Sequence, residues 1–163
     1  MDKVFIGKIV NTHGIKGEFR IKSDFDLKAR VFVVGKSIII DDNSYEIRTY
    51  RVHKGYDMIT LVDFDNINDV LPFKGMNAFV SRESLNLQDD EYLMEDYIGS
   101  DVILNSVTIG KVVDYIDGTN SLLEVDGDKH FYIPLKANFI IRFDKHMKVL
   151  IVDDSVRGLM LWG

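Results

Sequence analysis

Apolar and polar positions alternate along this chain in short runs broken by Gly, Asn and Asp. β-branched and aromatic residues fill the runs, a pattern that predicts many short strands rather than helices. In the first half it predicts strands at Val4–Asn11, Glu18–Ser23, Ser37–Ile40, Tyr45–Val52, Met58–Val62 and Ala78–Ser81. Along the first of these, alternation puts Lys8 and Val10 on one face and Ile9 and Asn11 on the other. Neither face of Tyr45–Val52 is cleanly apolar, so that strand is expected at a sheet edge or against a loop. In the second half the runs are Asp101–Leu104, Val107–Ile116, Leu122–Val125, Phe131–Pro134, Ile140–Phe143 and Val149–Val152. Asp41–Asn43, Asn105-Ser106 and Asp126-Gly127-Asp128 read as turns between strands.

Two stretches carry helical spacing instead. Asp26–Val31 is expected to make one or two turns, capped by Asp24 or Asp26. Asn66–Phe73 places Ile67, Val70 and Leu71 on one face, with Asp65 or Asn66 as the cap and Pro72 ending the turn. Between the halves, Ser84–Glu91 is polar and acidic and interrupts the strand rhythm, which marks a linker. The expectation is two all-β units, residues 1–84 and 91–163. Each is small for an independent core, so docking of one on the other is expected to add stability.

Bulk properties narrow the class. Hydrophobic residues make 46% and charged residues 28% of the 163, the balance of an ordinary globular protein. No run approaches the ~18 apolar residues that span a bilayer, so no membrane partner is expected. The chain opens Met-Asp-Lys and enters a strand at once, without a signal-peptide pattern, and a cytoplasmic location is expected. There is no cysteine, which excludes disulfides, thiolate metal sites and a cysteine nucleophile. His13, His53, His130 and His146 are not spaced as a metal-ligating pair on one helix or strand, and the Asp89-Asp90-Glu91 and Asp153-Asp154 runs read as solvated turn ends. No nucleophile elbow, zinc-protease motif, dinucleotide fingerprint or P-loop occurs, so the chain is not expected to be an enzyme.

The net charge of −6 is unevenly placed. Residues 1–85 hold 13 basic against 12 acidic residues, and residues 86–163 hold 7 against 14. A non-specific RNA binder would be basic throughout, because phosphate neutralisation drives its affinity. An acidic half suits a basic partner instead, or simply confers solubility.

The most informative stretch is Thr12-His13-Gly14-Ile15-Lys16-Gly17-Glu18-Phe19-Arg20. Two glycines bracket a tight loop, and Lys8, His13, Lys16, Arg20 and Lys22 lie on or beside one hairpin. Such a set can meet phosphates; the plainer reading is a solvated basic face. Ile6–Glu18 resembles the opening of the bacterial ribosome maturation factor RimM family. Gly55-Tyr56-Asp57-Met58, Lys74-Gly75, Tyr97–Val102 and Ile109-Gly110-Lys111-Val112 continue the likeness in order. Gly118–Val125, Ile133-Pro134 and Arg157–Met160 complete it, so the resemblance covers nearly the whole chain.

The resemblance implies two small β-barrel domains joined by a short linker: a six-stranded RimM N-terminal barrel over 1–84 and a PRC-barrel over 91–163. It implies a non-catalytic maturation factor for the small (30S) ribosomal subunit that assists 16S rRNA processing and needs no cofactor. Its partners would be small-subunit ribosomal protein nineteen, in the subunit head, and the precursor rRNA. Lys8, His13, Lys16, Arg20 and Lys22 would then lie near rRNA. Tyr92-Leu93-Met94 occupies the slot where relatives carry two aromatics followed by Trp, associated there with docking on the ribosomal protein. Here only Tyr92 keeps a ring. Alternatively, the three residues simply cover the domain junction. A monomer is expected. Two other readings stay open: an RNA-binding β-barrel without a protein partner, and an enzyme built on scattered carboxylates.

Overall fold

The computed structural model describes residues 2–161, and the chain divides into two compact units at Leu87/Gln88. The first holds β1 (Lys3–His13), β2 (Glu18–Lys22), β3 (Ser37–Ile40), β4 (Asn43–His53), β5 (Tyr56–Leu61) and β6 (Asn77–Ser81). They form a closed barrel in the order β1-β2-β5-β4-β3-β6, every neighbour antiparallel. Val4, Ile6 and Ile9 of β1, Phe19 and Ile21 of β2, Ile38 and Ile40 of β3 and Val80 of β6 point inward and are buried. The predicted alternation therefore fills one core, as a strand period of two demands.

Closure corrects the expectation that Tyr45–Val52 is an edge. That segment lies in β4, which pairs with β3 on one side and β5 on the other. Its polar look has another cause: Ile47 is its one fully buried residue, and Tyr45 instead packs edge-on against Phe64 and Phe73, both at 5.2 Å. The face assignment along β1 is corrected too. Bulges at Phe5/Gly7 and Ile9/Asn11 break its register, so Ile9 is buried while Lys8 and Asn11 are both exposed. Two extra residues re-aim the strand, which a strict period cannot foresee.

The helical stretches are shorter than their patterns. The N-cap position of α1 (Lys28–Val31) is Leu27, which offers no side-chain cap, rather than Asp24 or Asp26. α2 (Ile67–Val70) runs into a 3-10 turn at Leu71–Phe73 that carries Pro72. Asn66 caps α2 as expected: its Oδ1 accepts from the Asn68 N–H at 2.9 Å, and Asp69 Oδ2 accepts from the Asn66 N–H at 3.2 Å. Ser84 and Leu85 belong to a 3-10 turn over Arg82–Leu85, with Leu85 buried, so the irregular stretch starts later than Ser84.

The second unit holds β7 (Asp101–Leu104), β8 (Val107–Ile116), β9 (Leu122–Asp126), β10 (His130–Pro134), β11 (Ile140–Asp144) and β12 (Val149–Val152). Its sheet runs β10-β9-β8-β7-β12-β11, with β10 and β11 at its ends and only β7 and β12 parallel. Val102, Leu104, Val112, Leu123, Val125, Phe131, Ile133 and Leu150 fill its core together with Tyr97 and Val156. Tyr97 and Val156 come from 3-10 turns at Met94–Tyr97 and Asp154–Val156; these and α3 (Arg157–Met160) carry no periodicity long enough to read. Leu159 and Met160 pack on the core as expected of an apolar C-terminal segment, Leu161 is exposed, and Trp162 lies outside the described residues.

Of the described glycines, Gly17 and Gly127 are the two most tightly fixed by contact. A Cβ on Gly17 would sit 2.1 Å from the Phe64 carbonyl oxygen, and one on Gly127 would sit 2.3 Å from that of Ile109. Gly14 shares the positive φ of Gly17 but has open space around it. Gly14→Ala should therefore cost about 1–2 kcal/mol, the left-handed backbone penalty alone. Gly17→Ala should cost more, because backbone must also move. Urea unfolding of both variants checks this, and equal losses would show the close approach to be immaterial.

Candidate functional site

The β1–β2 hairpin is held out by its own backbone. Gly14 and Gly17 both take positive φ and reverse the chain in four residues. The Ile15 carbonyl accepts the Ile67 N–H at 2.9 Å, which docks the loop on the start of α2. The Ile15 side chain is left 73% exposed.

Strand pairing then collects the basic residues. His13 lies opposite Glu18, Asn11 opposite Arg20 and Lys8 opposite Lys22. Phe19 and Ile21 point into the barrel, so Glu18, Arg20 and Lys22 point out. Arg20 donates to His13 Nδ1 at 2.9 Å and lies 6.0 Å from the centre of the Tyr56 ring. Lys8 and Lys22 face each other with no acidic side chain bonded to either among the described residues. Like charges directly opposite repel, and a bound anion would relieve that repulsion. Lys16 lines a cleft of ≈ 460 Å³ at the loop, with His13, Ile15, Arg48 and Thr60. The five predicted residues thus share one hairpin, but in two groups: Lys8, Arg20, Lys22 and His13 along its outer face, and Lys16 at its tip.

Three further residues join them from β4 and β5. His53 lies tilted beside His13, with ring centres 5.5 Å apart. Arg51 donates twice to the Glu18 carboxylate, at 2.9 and 2.7 Å. Tyr56 supplies the ring beside Arg20. Sequence spacing could not find them, since β5 pairs with β2 across the barrel and carries β4 with it. The only early signal was Gly55-Tyr56-Asp57-Met58 itself. Among the described residues, no group of three or more His, Cys, Asp or Glu side chains is arranged to hold a metal ion.

The electrostatics follow from this crowding. The Arg51 guanidinium holds the Glu18 carboxyl below the usual carboxylate range. Partial burial, then Arg51, Lys54, His13 and Arg20, keep the His53 imidazole below its ordinary value. Behind the patch, Asp57 is buried and accepts from Tyr50 at 2.6 Å, while Lys28 Nζ lies 2.7 Å from its other oxygen. Burial, and next the Asp57 carboxylate, push the Tyr50 phenol up to about 12.

In the second unit, Tyr92, Leu93 and Met94 diverge. Tyr92 is 43% exposed and packs edge-on against Tyr97 at 5.3 Å and Phe143 at 5.0 Å. Leu93 is 8% exposed, and Met94 packs against the core. Burial, with the Tyr92 hydroxyl second, pushes the Tyr97 phenol far up. Lys145 donates to the Gln88 and Glu91 carbonyls, Lys148 to those of Asp96 and Ile98, and the Asp96 carboxylate accepts from the Leu93 N–H at 2.7 Å. These bonds strap residues 88–98 to the β11–β12 turn and leave Tyr92 as the ring on display. Asp117 Oδ1 accepts from Gly118 N–H and Ser121 Oγ, so the Gly118-Thr119-Asn120 loop is held by its own turn.

Glu18 and His53 give this surface a pH signature. Glu18 is depressed, so its stabilisation is present above its unfolded value and disappears as pH falls through the folded one. His53 is also depressed, so the unfolded chain takes its proton first, and stability declines as pH drops below about 6.5. Arg51→Gln should raise both values, since it removes a hydrogen-bond donor from Glu18 and a repelling charge from His53. An NMR titration of both side chains reads this; an unmoved Glu18 would rule out the Arg51 account.

Comparison with known proteins gives a consistent result. The family model described as the RimM N-terminal domain matches residues 4–85. The chain is 35% identical to the ribosome maturation factor RimM of a Staphylococcus aureus strain, over 97% of this chain and 99% of that protein. It is 36% identical to the protein of the same name in Staphylococcus haemolyticus, with the same coverage. A crystal structure named for a RimM 16S ribosomal RNA processing protein of Pseudomonas aeruginosa covers 93% of this chain and 97% of its own, at 21% identity and a TM-score of 0.46. The solution structure of the N-terminal domain of RimM from Thermus thermophilus covers 52% of this chain and 95% of its own, at 13% identity and the same TM-score.

Proposed function

From the premise that the chain belongs to the RimM family of ribosome maturation factors, we propose that it is a non-catalytic assembly factor of the small ribosomal subunit. In this reading it works in the cytoplasm as a monomer and assists 16S rRNA processing. The second unit, assigned to the PRC-barrel module, docks on ribosomal protein nineteen of the subunit head. The first unit lies against the precursor rRNA.

The observation that carries the docking half is the placement of Tyr92. A half-exposed ring, braced by the buried Tyr97, the partly buried Phe143 and a strapped backbone, is pre-ordered, and a pre-ordered aromatic loses little entropy on binding. Leu93 is buried and Met94 packs on the core, so Tyr92 is the one of the three that is presented. The surrounding half of the chain is acidic, 14 acidic residues against 7 basic over 86–163, which complements a basic ribosomal protein and speeds encounter.

The rRNA half rests on the outer face of the hairpin. Lys8, Lys22 and Arg20 offer cations that position phosphates without reading bases. Holding an immature head requires tighter binding to that state than to the mature one, since a ligand shifts an equilibrium only by its differential affinity. No step in this scheme makes or breaks a covalent bond.

Calorimetry with purified small-subunit ribosomal protein nineteen tests the proposal. The parent should bind, and Tyr92→Ala should lose about 1–3 kcal/mol, as an interface anchor does. Leu93→Ala should instead lower the protein's own stability by about 2–4 kcal/mol, as a buried Leu does. Absence of any binding by the parent would sink the protein-docking half. Binding indifferent to Tyr92 would move the site elsewhere on the acidic unit.

A further inference from the structure

β1 presents more than the basic hairpin. Its outward residues run Lys3, Phe5, Lys8, Asn11 and His13, because the two bulges keep turning the polar and aromatic side chains outward while Val4, Ile6 and Ile9 go in. Phe5 is 53% exposed. It stands opposite Phe79 of β6, which in turn stands opposite Ile39 of β3. Three adjacent strands thus lay an apolar row, Phe5–Phe79–Ile39, across the outside of the barrel. The two rings meet edge-to-face at 5.9 Å. Lys3 Nζ lies 5.1 Å from the centre of the Phe79 ring and pairs with Asp42, so Phe5 is the ring left open.

Beyond Ile39 the row opens into a groove of ≈ 660 Å³ lined by Lys36, Ser37, Ser44, Ser81 and Ser84. Going the other way along β1, Lys8 follows three residues after Phe5, ~10 Å at ~3.3 Å per residue, and Lys22 and Arg20 continue the line of charge. From β3 and β6 across β1 to β2, the outside of the barrel therefore carries, in order, a hydroxyl-lined groove, an exposed aromatic ring, a pair of lysines with no acidic partner among the described residues, and an arginine.

We propose that this track binds an unpaired RNA strand, with a base stacked on Phe5 and the backbone phosphates on Lys8, Lys22 and Arg20. The argument is charge complementarity plus ring geometry. An apolar protein segment would use the Phe5–Phe79–Ile39 row but would leave two mutually repelling lysines beside it. A duplex would satisfy the lysines, but its bases are stacked on one another and cannot cover Phe5. A single strand satisfies both, since every base has a face to stack and every linkage a charge to neutralise. The proposal rests on the rRNA-facing reading of the first unit and specifies its ligand. Asp42 stands against it electrostatically, and its removal should strengthen binding.

The test is fluorescence anisotropy of the full chain with a labelled mixed-sequence RNA strand of about twelve nucleotides, within the span a small β-barrel covers, and with the matching duplex. The strand should bind more tightly than the duplex. Phe5→Ala should weaken strand binding about 5- to 100-fold with little change for the duplex, and Phe5→Tyr should restore it. Lys8→Gln with Lys22→Gln should lower the slope of log affinity against log salt by about 1.4. Asp42→Asn should bind more tightly than the parent. Thermal melts of the variants verify folding. Strand binding unchanged in Phe5→Ala overturns the proposal, as does equal affinity for the duplex. Loss in Phe5→Ala of binding to small-subunit ribosomal protein nineteen, with RNA binding intact, overturns it in favour of a protein on this row. The ribosomal-protein titration of the unsubstituted chain decides the assembly-factor reading separately.

Discussion

The contact between Gly17 and the Phe64 carbonyl organises the first unit's working surface. No side chain fits there, since a Cβ would lie 2.1 Å from that oxygen. The close approach lets the hairpin loop lie on the chain that leads into α2, and the Ile15–Ile67 hydrogen bond holds it in place. Phe64 is itself fixed by Tyr45 and Phe73. A loop that would otherwise flex is thus tied to the aromatic packing of the barrel, and the charges beside it are presented on a rigid support.

The two units use charge in opposite ways. In the first, basic groups are crowded on the outside and only partly compensated: Arg51 by Glu18, Lys28 by Asp57, with Lys8 and Lys22 left to repel each other. In the second, Lys145 and Lys148 turn toward backbone carbonyls and act as struts for the segment that carries Tyr92. Their cationic heads lie against main-chain oxygens, and the carboxylates dominate the acidic half's exterior.

Much of the fold was legible from residue pattern, for a physical reason. β7, β8 and β12 match their predicted runs end to end; β7 and β12 bury alternate residues, and β8 is bounded by the Asn105-Ser106 turn. Asn105 and Ser106 both take positive φ, as a two-residue reversal requires. What escaped notice depends on pairing between distant strands. The bulges in β1 fall where it pairs with β6 and with β2, and they put Asn11 on the opposite face from Ile9. The N-cap of α1 falls on Leu27 although two aspartates precede it. The same limit hid His53, Arg51 and Tyr56, which reach the basic hairpin only through the β2–β5 ladder. That Leu93 is buried while Tyr92 is half-exposed was not legible, because adjacent residues in an irregular segment have no period to separate them.

The pairing of β1 with β6 and of β7 with β12 joins the first and last strands of each unit. Neither unit can complete its sheet until its final strand is available, so no early fragment of either has a finished core. Such long-range closure folds slowly, because chain entropy is lost before the closing contacts form. During synthesis the chain must therefore wait, first for β6 and then for β12, with strand edges open in the interval. A protein that attends the maturation of ribosomes thus depends, for its own completion, on remaining unfolded for much of its passage out of one.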